Sequence, residues 1–287
     1  MNEPEIGPAS ESEVRAYAAR RWPDEAGRRL YVHLATTSRG VFVGRDAGEP
    51  VGIAFAHDLE GESFVSELFV EPSFRKAGLG RALLRAATRD GNDLALAALV
   101  DANDIATLAF CARSGIGLNV PVLQLSGAIP KEDALLPTAA GDYRFATLPI
   151  DSRPQPTIIG VLGTIDREVR GVERESDHRF FAEHACGTLL LLEDEPVGYV
   201  YVWPDGRVGP IAAASAAYVR QFLAFALVAM RRNYGASWCT LMVPGSNVRV
   251  LRAAMRIGLK VERSYIFAAD APAADVARYV GFHPLAF

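Results

Sequence analysis

Residues 64–84 read FVSELFVEPSFRKAGLGRALL. Val65, Glu67 and Phe69 alternate with Ser66, Leu68 and Val70, which predicts a strand with two distinct faces. Glu71-Pro72 ends it, because proline cannot donate to a sheet ladder. Arg75-Lys76-Ala77-Gly78-Leu79-Gly80 then runs straight into a helix expected from about Arg81. Both glycines are expected to open backbone conformations that side chains forbid, so that successive N–H groups converge on one anion. The helix N-terminus adds partial positive charge, and Arg75, Lys76 and Arg81 add cationic donors. Such a cradle suits a diphosphate. Taken alone, the glycine pattern also fits an ordinary strand-to-helix turn, so the surrounding chain has to decide.

Working outward, Glu49-Pro50-Val51-Gly52 recurs as Glu195-Pro196-Val197-Gly198, an offset of 146. Each tetrapeptide follows an apolar run and precedes an alternating strand, 52–58 or 198–205. The first copy turns through LEGES and the second through the tighter Pro204-Asp205-Gly206, which reduces the offset to 143. In that frame Val65 matches Val208, Val70 matches Ala213, Asp104 matches Asn247, and Gly115 matches Gly258. The expected order is a helical start, antiparallel strands, a helix (81–89 or 216–231), a strand (94–100 or 238–243), a helix (105–114 or 248–257) and a last strand. This is one α+β domain duplicated: residues 1–128, a linker over 129–142, and residues 143–287.

The 287 residues are 50% apolar and 22% charged, which excludes disorder and coiled coil. The net charge of −4 offers no basic face, so neither nucleic acid nor membrane is expected as a partner. The longest apolar run, 222–230, falls short of the roughly 18 residues that span a bilayer. The acidic start, MNEPEIG, lacks a signal-peptide core, and Cys111, Cys186 and Cys239 suggest no disulfide framework or metal site. A cytoplasmic protein without a metal is expected, either a monomer that is an internal pseudo-dimer or a homodimer.

Two motifs together resemble the GCN5-related N-acetyltransferase (GNAT) family. The first is the [RQ]-x-x-G-x-[GA] loop at Arg75–Gly80, after a strand ending in Val70-Glu71-Pro72. The second follows the next strand, where 104–116 read DIATLAFCARSGI and 247–259 read NVRVLRAAMRIGL. The resemblance implies two tandem GNAT-like domains, each a mixed, largely antiparallel sheet flanked by helices. It also implies acetyl-CoA as the acyl donor and the amine of a small molecule as acceptor. Leu68, Phe69 and Val70 map to the strand that bonds the pantetheine arm. Lys76, Ala77, Gly78, Leu79, Gly80 and Arg81, with Arg75, map to the pyrophosphate loop, and Asp104 takes the place of the family's asparagine near the cofactor. Asp104 also reads as a helix N-cap.

Transfer needs an unprotonated amine, since an alkylammonium titrates near pH 10.4. Glu67, a carboxylate in an otherwise apolar strand, is the candidate base, with Glu62 and His57 as alternatives. Cys111 stands where the family carries its acid tyrosine, and Leu99 where some members carry a glutamate. In the second copy Gly78 becomes Gln221, Gly80 becomes Leu223, Arg75 becomes Tyr218, Glu67 becomes Pro210, and the tyrosine position is Ala254. Bulk at both glycines predicts that only the first copy holds acetyl-CoA. The charged stretch 166–184, with Arg174, Asp177 and His178, reads as a pocket between the halves or as a solvated helix face. The alternative to an enzyme is a non-catalytic acyl-CoA-binding sensor.

Overall fold

The computed structural model describes residues 4–59, 62–88, 95–270 and 275–287. Contacts cluster into two compact units, Met1–Leu99 and Val100–Phe287. This partition differs from the sequence repeat, because residues 117–128 pair with strands of the second copy.

In the first unit the order is β1 (Glu5–Pro8), α1 (Glu11–Arg21), α2 (Glu25–Thr37), β2 (Val41–Asp46), β3 (Glu49–Leu59), β4 (Glu62–Val70) and α3 (Leu79–Ala87). β5 (Ala95–Asp101) crosses into the second. Strands β1 to β5 lie side by side in chain order. All pair antiparallel except β4 with β5. Helix α1 begins in a capping box, in which Ser10 accepts from the Glu13 amide and Glu13 accepts from the Ser10 amide.

The repeated tetrapeptide has a mechanical role. In each copy it follows a two-residue turn with positive φ, Ala47-Gly48 or Glu193-Asp194, the geometry of a tight hairpin. In each copy the register then slips by one, leaving Val51 or Val197 as a bulge. The glycine that follows lets a helix approach the sheet. Gly52 faces Gly44 across the hairpin, and a Cβ on either would lie 2.9 Å from a Leu83 methyl or 2.8 Å from a Leu79 methyl. In the second copy a Cβ on Gly198 would collide with the Phe222 ring.

The second unit continues with α4 (Ile105–Arg113), β6 (Gly117–Ala128), α5 (Glu132–Ala140), β7 (Ala146–Ile150), α6 (Pro156–Arg170) and α7 (Glu175–His184). It proceeds through β8 (Cys186–Leu192), β9 (Glu195–Val202), β10 (Val208–Ala213), α8 (Val219–Tyr234), β11 (Trp238–Pro244), α9 (Val248–Arg256), β12 (Lys260–Ala269) and β13 (Tyr279–Val280). One five-stranded group runs β13-β10-β9-β8-β7, while β6 lies between β12 and β11. The stretch read as a linker is helical over α5, with Leu135 and Ala139 buried. The apolar run 222–230 lies in α8, which is apolar nearly all round because it is enclosed, with Val219, Phe222, Leu223, Leu227 and Met230 in the core. Among the described residues no helix is long and apolar enough to cross a membrane.

The 143-residue frame holds in detail. Asp104 and Asn247 cap α4 and α9 by accepting from the amides of Thr107 and Val250. Gly115 and Gly258 follow those helices at φ +85° and +95°. β6 and β12 are counterparts and pair antiparallel, with Val122 opposite Tyr265, its own equivalent in the frame. The two copies therefore meet at these strands about a local pseudo-twofold.

If Gly52 seats α3 as described, Gly52→Val will force Leu83 away and cost about 1–3 kcal/mol, read as a lower urea midpoint.

Candidate functional site

The cradle is formed by a short turn, Pro72–Phe74, that leads from β4 into α3. Leu79, Leu83 and Ala87 anchor α3 on Val51 and Ala54, while Phe74, Leu68 and Val70 pack around them. Arg75 donates from Nε to the Val70 carbonyl at 3.0 Å, fixing the loop to the end of β4. Lys76 and Gly78 take left-handed conformations, φ +68° and +88°. The expectation for the two glycines is therefore corrected. Gly78 needs its freedom, Gly80 sits in helical conformation as the second residue of α3, and Lys76 supplies the other left-handed residue. Left-handed Gly78 followed by helical Leu79 turns successive amides to one side. No side chain caps α3, and the first backbone bond at its start is donated by Ala82 to Gly78. The amides of Leu79, Gly80 and Arg81 thus have no acceptor among the described residues. Arg75, Lys76 and Arg81 are exposed around them.

β4 pairs with β5 only from Glu62 to Phe64, against Ala95 to Ala97. From Val65 onward it keeps its β3 partners, with a register slip that leaves Ser66 as a bulge, but has no β5 partner among the described residues. Alternate backbone groups of Val65–Val70 are therefore without a β5 partner among the described residues, and Leu68, Phe69 and Val70 lie in this stretch, next to the cradle.

Glu67 is buried, at 4% exposure, on the face of β4 covered by α1 and α2. Burial raises its pKa, partly offset by the nearby Arg21 guanidinium and by hydrogen bonds from Arg21 and the Leu68 amide. Arg21 approaches its two oxygens at 3.3 and 3.5 Å. Phe69 shares this face, edge-on to Tyr17 at 6.1 Å and under the guanidinium groups of Arg20 and Arg21 at 5.2 and 4.9 Å. Of the alternatives, His57 is buried with Nδ1 3.3 Å from Thr37 Oγ1, and Glu62 starts β4 opposite Leu59. Arg21 and its companions Tyr17 and Tyr31 escaped the sequence reading. The available signal was the Ser10–Glu13 capping box, which places Tyr17 and Arg21 one turn apart on one helix face.

Asp104 and Cys111 lie on α4 in the second unit. Both Asp104 oxygens serve the helix start, one accepting from the Thr107 amide at 3.0 Å and the other from its hydroxyl at 2.7 Å. Cys111 is buried, and burial chiefly raises its thiol pKa, with Asp104 adding to the rise, so it stays protonated at neutral pH.

In the second copy both counterparts of the site are filled. Gln221 is buried and donates Nε2 to the carbonyls of Ala139 and Tyr143 at 2.8 and 2.7 Å. Tyr218 packs edge-on against Tyr143 and Phe145 at 4.7 and 5.3 Å. Between β10 and β11, where the first copy is open, β13 pairs with β10, and Gly281 exchanges two backbone hydrogen bonds with Met242.

The stretch 166–184 has two sides: Arg167, Glu168, Glu175, Arg179 and Glu183 are exposed, with Glu175 and Arg179 paired one turn apart, while Arg174, Asp177 and His178 face inward. Asp166 is fully buried and accepts from Arg174 Nε at 2.8 Å and from the Tyr199 hydroxyl, with His178 Nε2 3.0 Å away. Arg174 also donates to Tyr279 and Tyr199, both at 3.1 Å. Arg174 and His178 hold the Asp166 carboxyl far below the usual range, against the opposing effect of burial. Asp177 is buried as well.

Residues 9–116 match the sequence profile of the Acetyltransferase (GNAT) family, a span that includes both the cradle and the Asp104–Ile116 motif. This part of the chain therefore carries the sequence pattern of a GNAT domain. The GNAT likeness extends over the whole chain in solved structures. An acetyltransferase candidate from Pyrococcus horikoshii superposes with a TM-score of 0.72 at 15% identity, covering 100% of this chain and 96% of its own. A tandem GNAT protein from the clavulanic acid biosynthesis pathway gives 0.61 at 16% identity, covering 94% and 99%. A GNAT-type N-acetyltransferase from Sphaerobacter thermophilus gives 0.59 at 14%, covering 96% and 99%. At these identities the likeness is one of fold, and the fold is that of tandem GNAT proteins. No curated protein sequence matches the chain.

Glu67 gives this part of the chain a pH signature independent of any substrate. Its folded pKa is raised above the ordinary 4.5, so the folded form binds the proton more tightly than the unfolded chain. The resulting stabilisation is complete below the unfolded value and is lost as pH rises through the folded one. Glu67→Gln has no such titration. Its Tm relative to the natural protein will therefore rise between about pH 4 and neutrality.

Proposed function

We propose that the chain is an acetyl-CoA-dependent N-acetyltransferase acting on the amine of a small molecule, with its active site in the N-terminal copy. The observation that carries this reading is the contrast between the copies. The first offers unpaired amides at the start of α3 beside an opened β4, and the second fills both places with its own Gln221 and β13.

The amides from Lys76 to Arg81 would hold the diphosphate of the donor, with Arg75, Lys76 and Arg81 adding positive charge. The β4 backbone at Leu68–Val70 would bond the pantetheine arm and place an N–H near the thioester oxygen. Glu67 takes a proton from the acceptor ammonium, directly or through water. The free amine nitrogen attacks the thioester carbon, the C–S bond breaks, and the coenzyme leaves as a thiolate that takes up a proton. Products are the acetamide and the free thiol. Cys111, kept protonated by burial, is the proposed proton donor, and Asp104 is proposed to lie near the coenzyme beside its capping role.

Acetyl-CoA at 100 times its Kd should raise stability by about 2.7 kcal/mol. Gly80→Trp should abolish that gain while folding normally, because residue 80 already has helical backbone. Full stabilisation of the variant would overturn the cradle. Thiol release over a panel of amines should fall roughly 100-fold or more in Glu67→Gln. Binding without release for every amine would mark the chain as a non-catalytic acyl-CoA-binding protein.

A further inference from the structure

Glu67 is reached by a cation that the proposed chemistry leaves without a role. Arg21 ends α1, and its side chain is 39% exposed where that of Glu67 is 4% exposed, so the guanidinium spans from the solvent margin to a buried carboxylate. It does not form a tight fork. The contacts are 3.3 and 3.5 Å, and the group rests on the Phe69 ring, 4.9 Å from its centre. This hold fixes the guanidinium in place and leaves carboxylate lone pairs unused, since two oxygens offer about four acceptor positions.

The other groups that face the carboxylate are neutral. From α1 comes Tyr17 and from α2 comes Tyr31, both phenols with pKa values raised by burial, and from β4 the Leu68 amide. The two hydroxyls are buried and have no hydrogen-bond partner among the described residues. Arg20, the neighbour of Arg21 in the chain, also lies over Phe69 but is paired with Glu71. Arg21 is therefore the cation set against this buried carboxylate, and without it Glu67 would face two phenols and apolar surface. A buried carboxylate in such surroundings keeps its proton and cannot accept another.

We propose that Arg21 is the positioning residue of Glu67, holding the carboxylate turned toward α1 and in the charged form that can accept a proton from the acceptor amine. The role rests on the reading of Glu67 as base, and the two can be separated by experiment. With glutamate carrying carbon-13 at the side-chain carboxyl, the Glu67 resonance is the one missing from Glu67→Gln. Its titration midpoint should move up by about one unit or more in Arg21→Gln and return most of the way in Arg21→Lys. Arg20→Gln should leave it in place. The acidic limb of the kcat/KM profile, measured with the best amine of the panel, should move with the midpoint. An unmoved midpoint in Arg21→Gln, or an equal shift in Arg20→Gln, overturns the role of Arg21 while the base assignment stands. A midpoint that moves while the acidic limb stays overturns the base assignment of Glu67, and the catalytic role of Arg21 with it.

Discussion

The close approach of a helix to a bulged hairpin is the constraint on which both copies depend. A hairpin of ordinary side chains would keep α3 farther from the sheet. Gly44 and Gly52, opposite one another in the ladder, remove the Cβ atoms that would hold it off, and Leu79 and Leu83 occupy the space. Because Leu79 is also the first residue of α3, the contact that packs the helix fixes where its N-terminal amides point. Packing and the direction of those amides are thus set by the same two side chains. The second copy keeps the bulge and the glycine, and seats Phe222 of α8 there instead.

From that common frame the two copies diverge through what fills the space beside the helix. In the first, the loop carries small residues and exposed cations, and β4 parts from β5 after Phe64. In the second, a buried glutamine and three aromatic rings pack at the helix start, and β13 lies between β10 and β11. Gln221 donates to the carbonyls of Ala139 and Tyr143, and β13 with Gly281 supplies backbone partners to β10 and Met242. In this copy's buried Asp166–Arg174 pair the carboxylate likewise finds its partners within the unit.

Much of this was legible in the chain. The duplicated tetrapeptide, the three-residue contraction and the shared spacing of Asp104 with Asn247 located the repeat, because turns and caps demand particular residues at particular positions. The glycine loop and the following helix were legible for the same reason. Lys76 in a left-handed conformation was not, since nothing local marks a lysine for it. In 166–184 the solvated side with its Glu175–Arg179 pair was legible, but the burial of Asp166, Arg174 and His178 was not, because it depends on the tyrosines that β9 and β13 bring from elsewhere.

By itself the sequence determined the α+β class, the duplication, the glycine loop and its absence from the second copy, all consequences of local stereochemistry at glycines, prolines and caps. Tertiary structure alone decided that β6 would lie between β11 and β12, that Arg21 and Tyr31 would converge on Glu67, and that β13 would occupy the second opening. Those outcomes depend on pairings between residues far apart in the chain. Backbone hydrogen bonds and buried charges find such partners by position in space, and spacing along the chain carries no record of them.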